Sequence, residues 1–520
     1  MKPNIIIVMT DQQRADLRKG AGYCLDTMPF LDRWAEGGVD FSKAYTANPT
    51  CMPARVSMFT GRYPEAHKAR TNHNGVDALY TLDLLDILKA EGYTTALCGK
   101  NHTHHASEDF DYCAGTGHLN VEGGQNNPPP TKANQEFEEF MHGTRFVDSD
   151  IPSPGGVEQQ FPYKNVTSAF DFIDNHIGET PFFLWLSFAE PHNPYQVPAP
   201  YFDLFPPESL PSVSEGEGSL FDKGPRFAWI KEVWKEVLGE DIDKRTARMR
   251  SNYHGMLRLI DDQFARLIGG LEDRKIDDNT VVVFLSDHGD FAGEYGLMRK
   301  GPDLPDVLTH IPMIWRGPCV AAQGRTDGCF VNIVDVLPTI CDILEVPLPF
   351  GCQGKSILPL LSNHDIPQRE YDIAYSESGF SGLYWNKDDK LDVIAEKACP
   401  PDRKAFDCLN TWTQSGQVRM VCKGDFKLQM DMLGTGYLYN LCNDPHERVN
   451  LWDDTDYLTV KAEMLAELSA AMLRACDPIP APHFRYRVKL HPKGFWFQNY
   501  SSEDVGIRDD APIKFKTRIR

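Results

Sequence analysis

Apolar residues in the first three quarters of the chain fall into short continuous runs set between stretches of helical periodicity. Residues 5–9, 182–186 and 281–285 are unbroken apolar runs of strand length, and 94–98 and 312–315 predict two more strands. Helices are predicted over 29–36, through 56–60, over 82–90 with Gly92 closing it, near 168–176, from about 246 to 271, and over 334–344. Strands that are apolar throughout, rather than alternating, need cover on both faces. The pattern therefore predicts an α/β fold, a large mixed, mostly parallel sheet sandwiched by helices. Residues 115–154, with three consecutive prolines and a Gly-Gly pair, and 191–224, rich in Pro, Ser and Glu, predict long functional or surface loops. After about Gly379 the pattern changes: 418–430 and 437–441 predict antiparallel strands, 460–473 an amphipathic helix, and the segment from Asp477 is rich in Pro and aromatics. The expected organisation is a large α/β domain over 1–380 and a smaller C-terminal α+β domain with an antiparallel sheet over 381–520.

Composition narrows the function classes. The 520 residues carry 53 Lys+Arg against 74 Asp+Glu, a formal charge of −21. Nucleic acid and anionic membrane surfaces are thereby disfavoured as partners, because both need a cationic face. No apolar run approaches the ~20 residues of a membrane-crossing helix. The amino end has no hydrophobic stretch of signal-peptide length, so the sequence as it stands is expected to be cytoplasmic, or periplasmic if a signal has been removed. Thirteen cysteines are scattered without a CxxC pair, which predicts that most are reduced thiols in the core. Cys51 is set apart by its neighbours.

Candidate chemistry lies where strands end. The strand over 5–9 runs into Asp11 and Gln12, and the strand over 281–285 into Asp287 and His288. In a doubly wound sheet both open at the carboxyl edge, where ligands bind. Either aspartate alone is equally at home in a turn, but together with His288 they make an oxygen-rich cage for a metal ion. In Cys51, Met52, Pro53, Ala54, Arg55, the proline fits the first turn of a helix, placing Cys51 at its positive end and Arg55 on the same face one turn on. Amides and a guanidinium beside a cysteine make a site for a sulfate or phosphate group. A buried structural cysteine before an ordinary helix is the plain alternative.

These segments resemble the type I, formylglycine-dependent sulfatases of the alkaline phosphatase superfamily, over nearly the whole chain. The C-x-P-x-R signature is met by Cys51 to Arg55 and followed by Met58, Phe59, Thr60, Gly61, Arg62; G-K-x-H is met by Gly99, Lys100, Asn101, His102. Pro191 and His192 follow one strand, Ser286 to Gly289 another, and Lys300 stands where the family has a lysine. The resemblance implies the alkaline-phosphatase-like fold, a sulfatase catalytic domain over 1–380, and a maturation enzyme as partner that oxidises Cys51 to formylglycine. One hydroxyl of the hydrated aldehyde, activated by the metal, would attack sulfur, and the other would expel sulfate. By the same resemblance Asp11, Gln12, Cys51, Asp287 and His288 would hold one divalent ion, Arg55 would orient the diol, and Lys100 and Lys300 would neutralise the sulfate. His192 would be the acid for the leaving alcohol and His102 the base that releases sulfate, with Arg299 a competitor for the place of Lys300, and His104 and His105 for that of His102.

Departures bear on metal and substrate. Many relatives have Asp where Gln12 stands and Asn where His288 stands. Hard oxygens favour calcium, while the imidazole also suits manganese or another divalent ion. The segment Arg70, Thr71, Asn72, His73 resembles phosphonate monoester and phosphodiester hydrolases of the superfamily, but those lack the Lys and His of G-K-x-H, which here are Lys100 and His102. A small sulfated substrate is therefore expected, a terminal sulfated sugar first, with Asn72, His73, His104, His105, His310 and Glu377 as candidate hydroxyl contacts or structural residues. A silent sulfated-glycan-binding protein that never acquires formylglycine is the non-enzyme alternative.

Overall fold

The computed structural model describes residues 2–176, 180–213, 223–238, 242–301, 303–321, 324–326, 328–362, 367, 369–381, 416–477, 486–488, 491–497 and 505–507. Its centre is an eight-stranded sheet in the order Tyr112–Gly115, Thr94–Gly99, Phe182–Pro191, Asn4–Asp11, Thr280–Ser286, Met313–Arg316, Val39–Phe41, Gly324–Thr326. Met313–Arg316 runs antiparallel to both neighbours, and every other pairing is parallel. Successive residues of Asn4–Asp11 feed opposite cores, as an all-apolar central strand requires. Ile6 and Val8 pack with Trp34, Phe172, Phe264 and Leu267. Ile5, Ile7 and Met9 pack with Met58, Phe59, Leu88 and Leu337. The sheet is mixed, mostly parallel and covered by helices on both faces, as the sequence pattern predicts.

Register brings the site residues level. Asp11 lies opposite Pro191, Thr10 opposite Ser286, and Gly99 opposite Ser187, so Asp11, Lys100, His192 and Asp287 all emerge at one carboxyl edge. Gly99 has φ +115°, and a Cβ there would overlap the backbone carbonyl of Ser187. The chain can therefore hand Lys100 to this edge only through glycine.

A second sheet, order Ile373–Ser378, Val418–Lys423, Phe426–Asp431, Gly436–Asn440, is antiparallel throughout. Val421, Leu428 and Leu438 pack under Met464 and Leu468 of the helix Leu458–Ala475. On the other face Met420 and Cys422 meet Tyr45, Leu304 and Phe330. Its first strand, Ile373–Ser378, precedes residue 380. The stretch 418–430 holds two strands that reverse at Gly424, which has φ +58°.

Several elements differ from the sequence pattern. Residues 115–154, expected as loop, contain the helix Lys132–Gly143, whose Phe137 and Met141 are buried one turn apart under a Thr131 cap. Within 191–224 a short helix, Ala199–Phe202, forms, and 214–222 lie outside the described residues. Pro225–Leu238 is helical without having been expected. Most of the tail after Asp477 lies outside the described residues. Among the described residues no helix is long and apolar enough to cross a membrane.

Candidate active site

The helix Cys51–Thr60 begins at the cysteine itself. Asn72 Oδ1 accepts the Met52 amide at 3.1 Å and Pro53 has no N–H, so Cys51 sits at a helix terminus whose first donors are already arranged. Its Sγ lies 3.5 Å from Asp11 Oδ1, 3.3 Å from His288 Nε2 and 3.1 Å from Lys300 Nζ. Burial pushes the thiol up, but Lys100, Lys300 and His288, with His102 beside them, hold it well below its ordinary value. The position is built to carry negative charge.

Arg55, one turn on, is fully buried. It donates Nε to Asp287 Oδ2 at 2.9 Å, one terminal nitrogen to Asp11 Oδ2 at 3.2 Å, and the other to Ser187 Oγ at 2.8 Å and to the Lys100 carbonyl at 3.2 Å. Lys100 Nζ also bonds Asp11 Oδ2. Burial and Cys51 push Asp11 up, yet Lys100, His192 and Arg55 leave it below the ordinary carboxylate value.

The cations hold the Oδ2 atoms, and the Oδ1 atoms turn the other way. Asp11 Oδ1 and Asp287 Oδ1 lie 3.8 and 3.7 Å from His288 Nε2. Asp11, Cys51, Asp287 and His288 are all buried, with one donor atom from each lying within 4.8 Å of the others. His288 Nδ1 is 2.9 Å from the Gly289 carbonyl, which can only accept, so in the neutral ring the proton sits on Nδ1 and Nε2 keeps its lone pair for the cage. Two carboxylates, an imidazole lone pair and an anion-favouring sulfur position fit a divalent cation. Gln12 reaches the edge of this cage: its amide N–H donates to Asp287 Oδ1 at 3.0 Å, and its Oε1 accepts from Lys300 at 3.3 Å.

Lys300 Nζ is also 3.3 Å from His192 Nε2. Arg299, the competitor for its place, turns away to Asn193 Oδ1 at 2.7 Å and to the face of Phe146. His192 holds the Asn193 carbonyl with Nδ1 at 2.7 Å. Burial and then Lys300 bring its pKa down to about 3. His192 is thus neutral near pH 7 until an anion arrives beside Nε2 to favour its protonated form. His102, with φ +37°, places Nε2 3.4 Å from the Asn72 carbonyl and leaves Nδ1 buried without a hydrogen-bond partner.

Most of the candidate hydroxyl contacts are held by partners within the protein. His310 Nδ1 lies 3.3 Å from Asp306 and Nε2 2.9 Å from the Ser42 carbonyl, with its ring stacked on Tyr45. Glu377 is buried against Tyr375 and Arg419, and His104 and His105 turn onto Asp83. Asn72 caps the cysteine helix, and His73 is exposed.

Two site residues have no motif signal. Asp290 ties the site together by accepting from Tyr195 at 2.7 Å, from the Arg299 and Ala292 amides at 2.9 and 2.7 Å, and from Gln12. Its clue is position, two residues past His288 in Asp287, His288, Gly289, Asp290. His118 packs against His192 with ring centroids 4.0 Å apart and the rings tilted by 30°, and its Nδ1 is buried without a hydrogen-bond partner. It comes from the stretch expected to be a functional loop, with nothing local to single it out.

A family model described as Sulfatase matches residues 3–346. An arylsulfatase of Clostridium perfringens is 27% identical over 405 residues, which are 71% of this chain and 81% of the relative. An ulvan-active sulfatase of Formosa agariphila is 27% identical over 406 residues, 74% of this chain and 70% of that protein. The crystal structure of a phosphonate monoester hydrolase of Agrobacterium radiobacter has the same fold, with a TM-score of 0.73 and 20% identity, covering 98% of this chain and 100% of that one. The match over 3–346 takes in every residue of the cage and its cations, and with it the chain belongs to the sulfatase family of the alkaline phosphatase superfamily, as a sulfuric ester hydrolase.

Proposed function

We propose that the enzyme cleaves a sulfate ester on a carbohydrate, through a formylglycine derived from Cys51 and one divalent ion, calcium first, held by Asp11, Gln12, Asp287, His288 and position 51. The observation that carries this reading is the meeting of Cys51 Sγ with Asp11, His288 and Lys300 at the start of a helix. The bound ion would supply Lewis-acid stabilisation of developing negative charge. The protein residues account for the rest. Arg55 fixes both aspartates, and through them the orientation of the nucleophile. Lys100 and Lys300 offset the charge of the sulfate oxygens.

A formylglycine at position 51 would supply a diol oxygen that has released its proton to solvent before it bonds to sulfur, and as the S–O bond to the alcohol breaks His192, protonated beside the bound anion, would give its proton to that alcohol. His102 would then take the proton of the remaining hydroxyl, the C–O bond to the sulfo group breaking as sulfate departs and the aldehyde re-forms. Water then restores the diol. The net change is ester plus water to alcohol, sulfate and a proton.

A sugar is favoured because a protein of the same fold, 19% identical over 92% of this chain with a TM-score of 0.66, is described in complex with its substrate D-glucosamine-2-N,6-O-disulfate. The likeness to a phosphonate monoester hydrolase supports a second reading, hydrolysis of a phosphonate monoester. Against it stands Lys100 bonded to Asp11 in the cage. The test is kcat/KM on a sulfated monosaccharide, an aryl sulfate and a phenyl phosphonate, side by side. The sugar sulfate is expected to lead; phosphonate turnover above both sulfates overturns the sulfate reading, and activity confined to aryl sulfates overturns the sugar.

A further inference from the structure

A second set of metal-ligating side chains lies at the far end of the loop that starts with Lys100 and His102. Asp83 caps the helix Leu84–Ala90 by accepting the Asp86 amide on Oδ1 at 3.0 Å. Its other oxygen, Oδ2, faces His104 Nε2 at 2.7 Å and His105 Nε2 at 3.0 Å, and the three donor atoms lie within 4.8 Å of one another. Asp83 is fully buried, and the two imidazoles are 1% and 6% exposed. The first contact is a hydrogen bond. The second is an ion-pair contact: His105 Nε2 is buried and aimed into the cluster, at an angle that falls short of a hydrogen bond to Asp83.

We propose that Asp83, His104 and His105 form a second metal site, distinct from the cage at Cys51, that takes a zinc-type divalent transition-metal ion. Two imidazoles and one carboxylate match the three-ligand sets of zinc, with water completing the tetrahedron, and would suit calcium poorly. Donors about 2.0–2.1 Å from such an ion stand roughly 3.3 Å apart, so the cluster would open by a few tenths of an ångström. Behind His105, Nδ1 lies 3.6 Å from Asp109 Oδ2. That carboxylate, itself fixed by the Ala106 amide at 2.7 Å, can orient the imidazole and adds the second negative charge that a divalent ion calls for. Phe59 and Phe110 pack edge-on against His105, and Tyr80 against His104, holding the ring planes.

Such an ion would act through structure. Asn101 Nδ2 donates to the His105 carbonyl at 2.9 Å and Thr103 Oγ1 to Asn101 Oδ1 at 2.9 Å, so the loop from Lys100 to His105 is one knitted unit. A metal at its far end staples that unit, and with it Lys100 and His102, to the helix Leu84–Ala90. The site is independent of which ester the enzyme cleaves.

Cobalt(II) titrated into the metal-stripped full-length protein tests it, because ion count and d–d absorption report binding without reference to activity. Wild type is expected to take up two equivalents. His105→Gln is expected to lose one of them together with the tetrahedral-type band, while Asp287→Asn, altered in the main cage, keeps that band. Equal uptake and equal spectra for His105→Gln and wild type overturn the second site. So does a folded Asp287→Asn protein that shows no tetrahedral band. Should His105→Gln fail to fold, the folded Asp287→Asn protein decides, a tetrahedral band supporting the site and its absence overturning it.

Discussion

Arg55 is the residue on which most of the site leans. It is a fully buried cation with hydrogen bonds to both cage aspartates, and removing one partner of such a group leaves charge uncompensated. Arg55→Met is expected to lower unfolding stability by about 3–5 kcal/mol, read by denaturant titration, as well as to abolish turnover. His192 makes a kinetic prediction. If its proton goes to the leaving alcohol, His192→Ala should lose roughly 10²–10⁴-fold in kcat on a sugar sulfate and far less on nitrophenyl sulfate, whose nitrophenolate leaves without a proton. Equal losses on both would remove His192 from that role. At this scale the sequence is legible wherever a residue is fixed by its own strand end or by helical spacing, as with Asp11, Asp287 and the pair Cys51 and Arg55. Asp290 and His118 are not, because what defines them is a partner far along the chain, Tyr195 or His192.

Among elements, the central strands and the helices that pack on them follow from their apolar patterns. The misses have physical causes. In Lys132–Gly143 a polar surface and the preceding prolines mask an apolar pair at Phe137 and Met141. Tyr112–Gly115 is an edge strand too short to show a period. One junction between helices predicts a pH effect. Asp261, on the long helix Ile242–Asp273, accepts the Phe30 and Leu31 amides at 2.8 and 2.7 Å and so caps the helix Pro29–Ala35. Burial raises it from the ordinary 3.8 to about 7, against the pull of those two amides. The folded state then binds the proton more tightly than the unfolded one. Its stabilisation is fully present below about pH 4 and is lost as pH rises through about 7. The thermal advantage of wild type over Asp261→Asn should therefore be greatest near pH 4 and shrink toward pH 7.5; a difference that does not vary with pH would contradict this.

For the whole molecule, a formal charge of −21 surrounds a site lined by Arg55, Lys100 and Lys300. An anionic substrate meets repulsion at long range and attraction only close in, and salt screens the former first. Raising ionic strength from about 0.01 to about 0.15 M is expected to raise kcat/KM for a sulfated sugar; a steep fall would mean that the positive focus governs approach as well. The central claim concerns the side chain at position 51. The protein from a host with the maturation enzyme should be treated with an aldehyde-reactive hydrazide and the peptide spanning Cys51 weighed. The account predicts that the label sits at position 51 and that the labelled fraction tracks sulfatase activity from one preparation to the next. Full activity in protein whose Cys51 is entirely an unmodified thiol would contradict it.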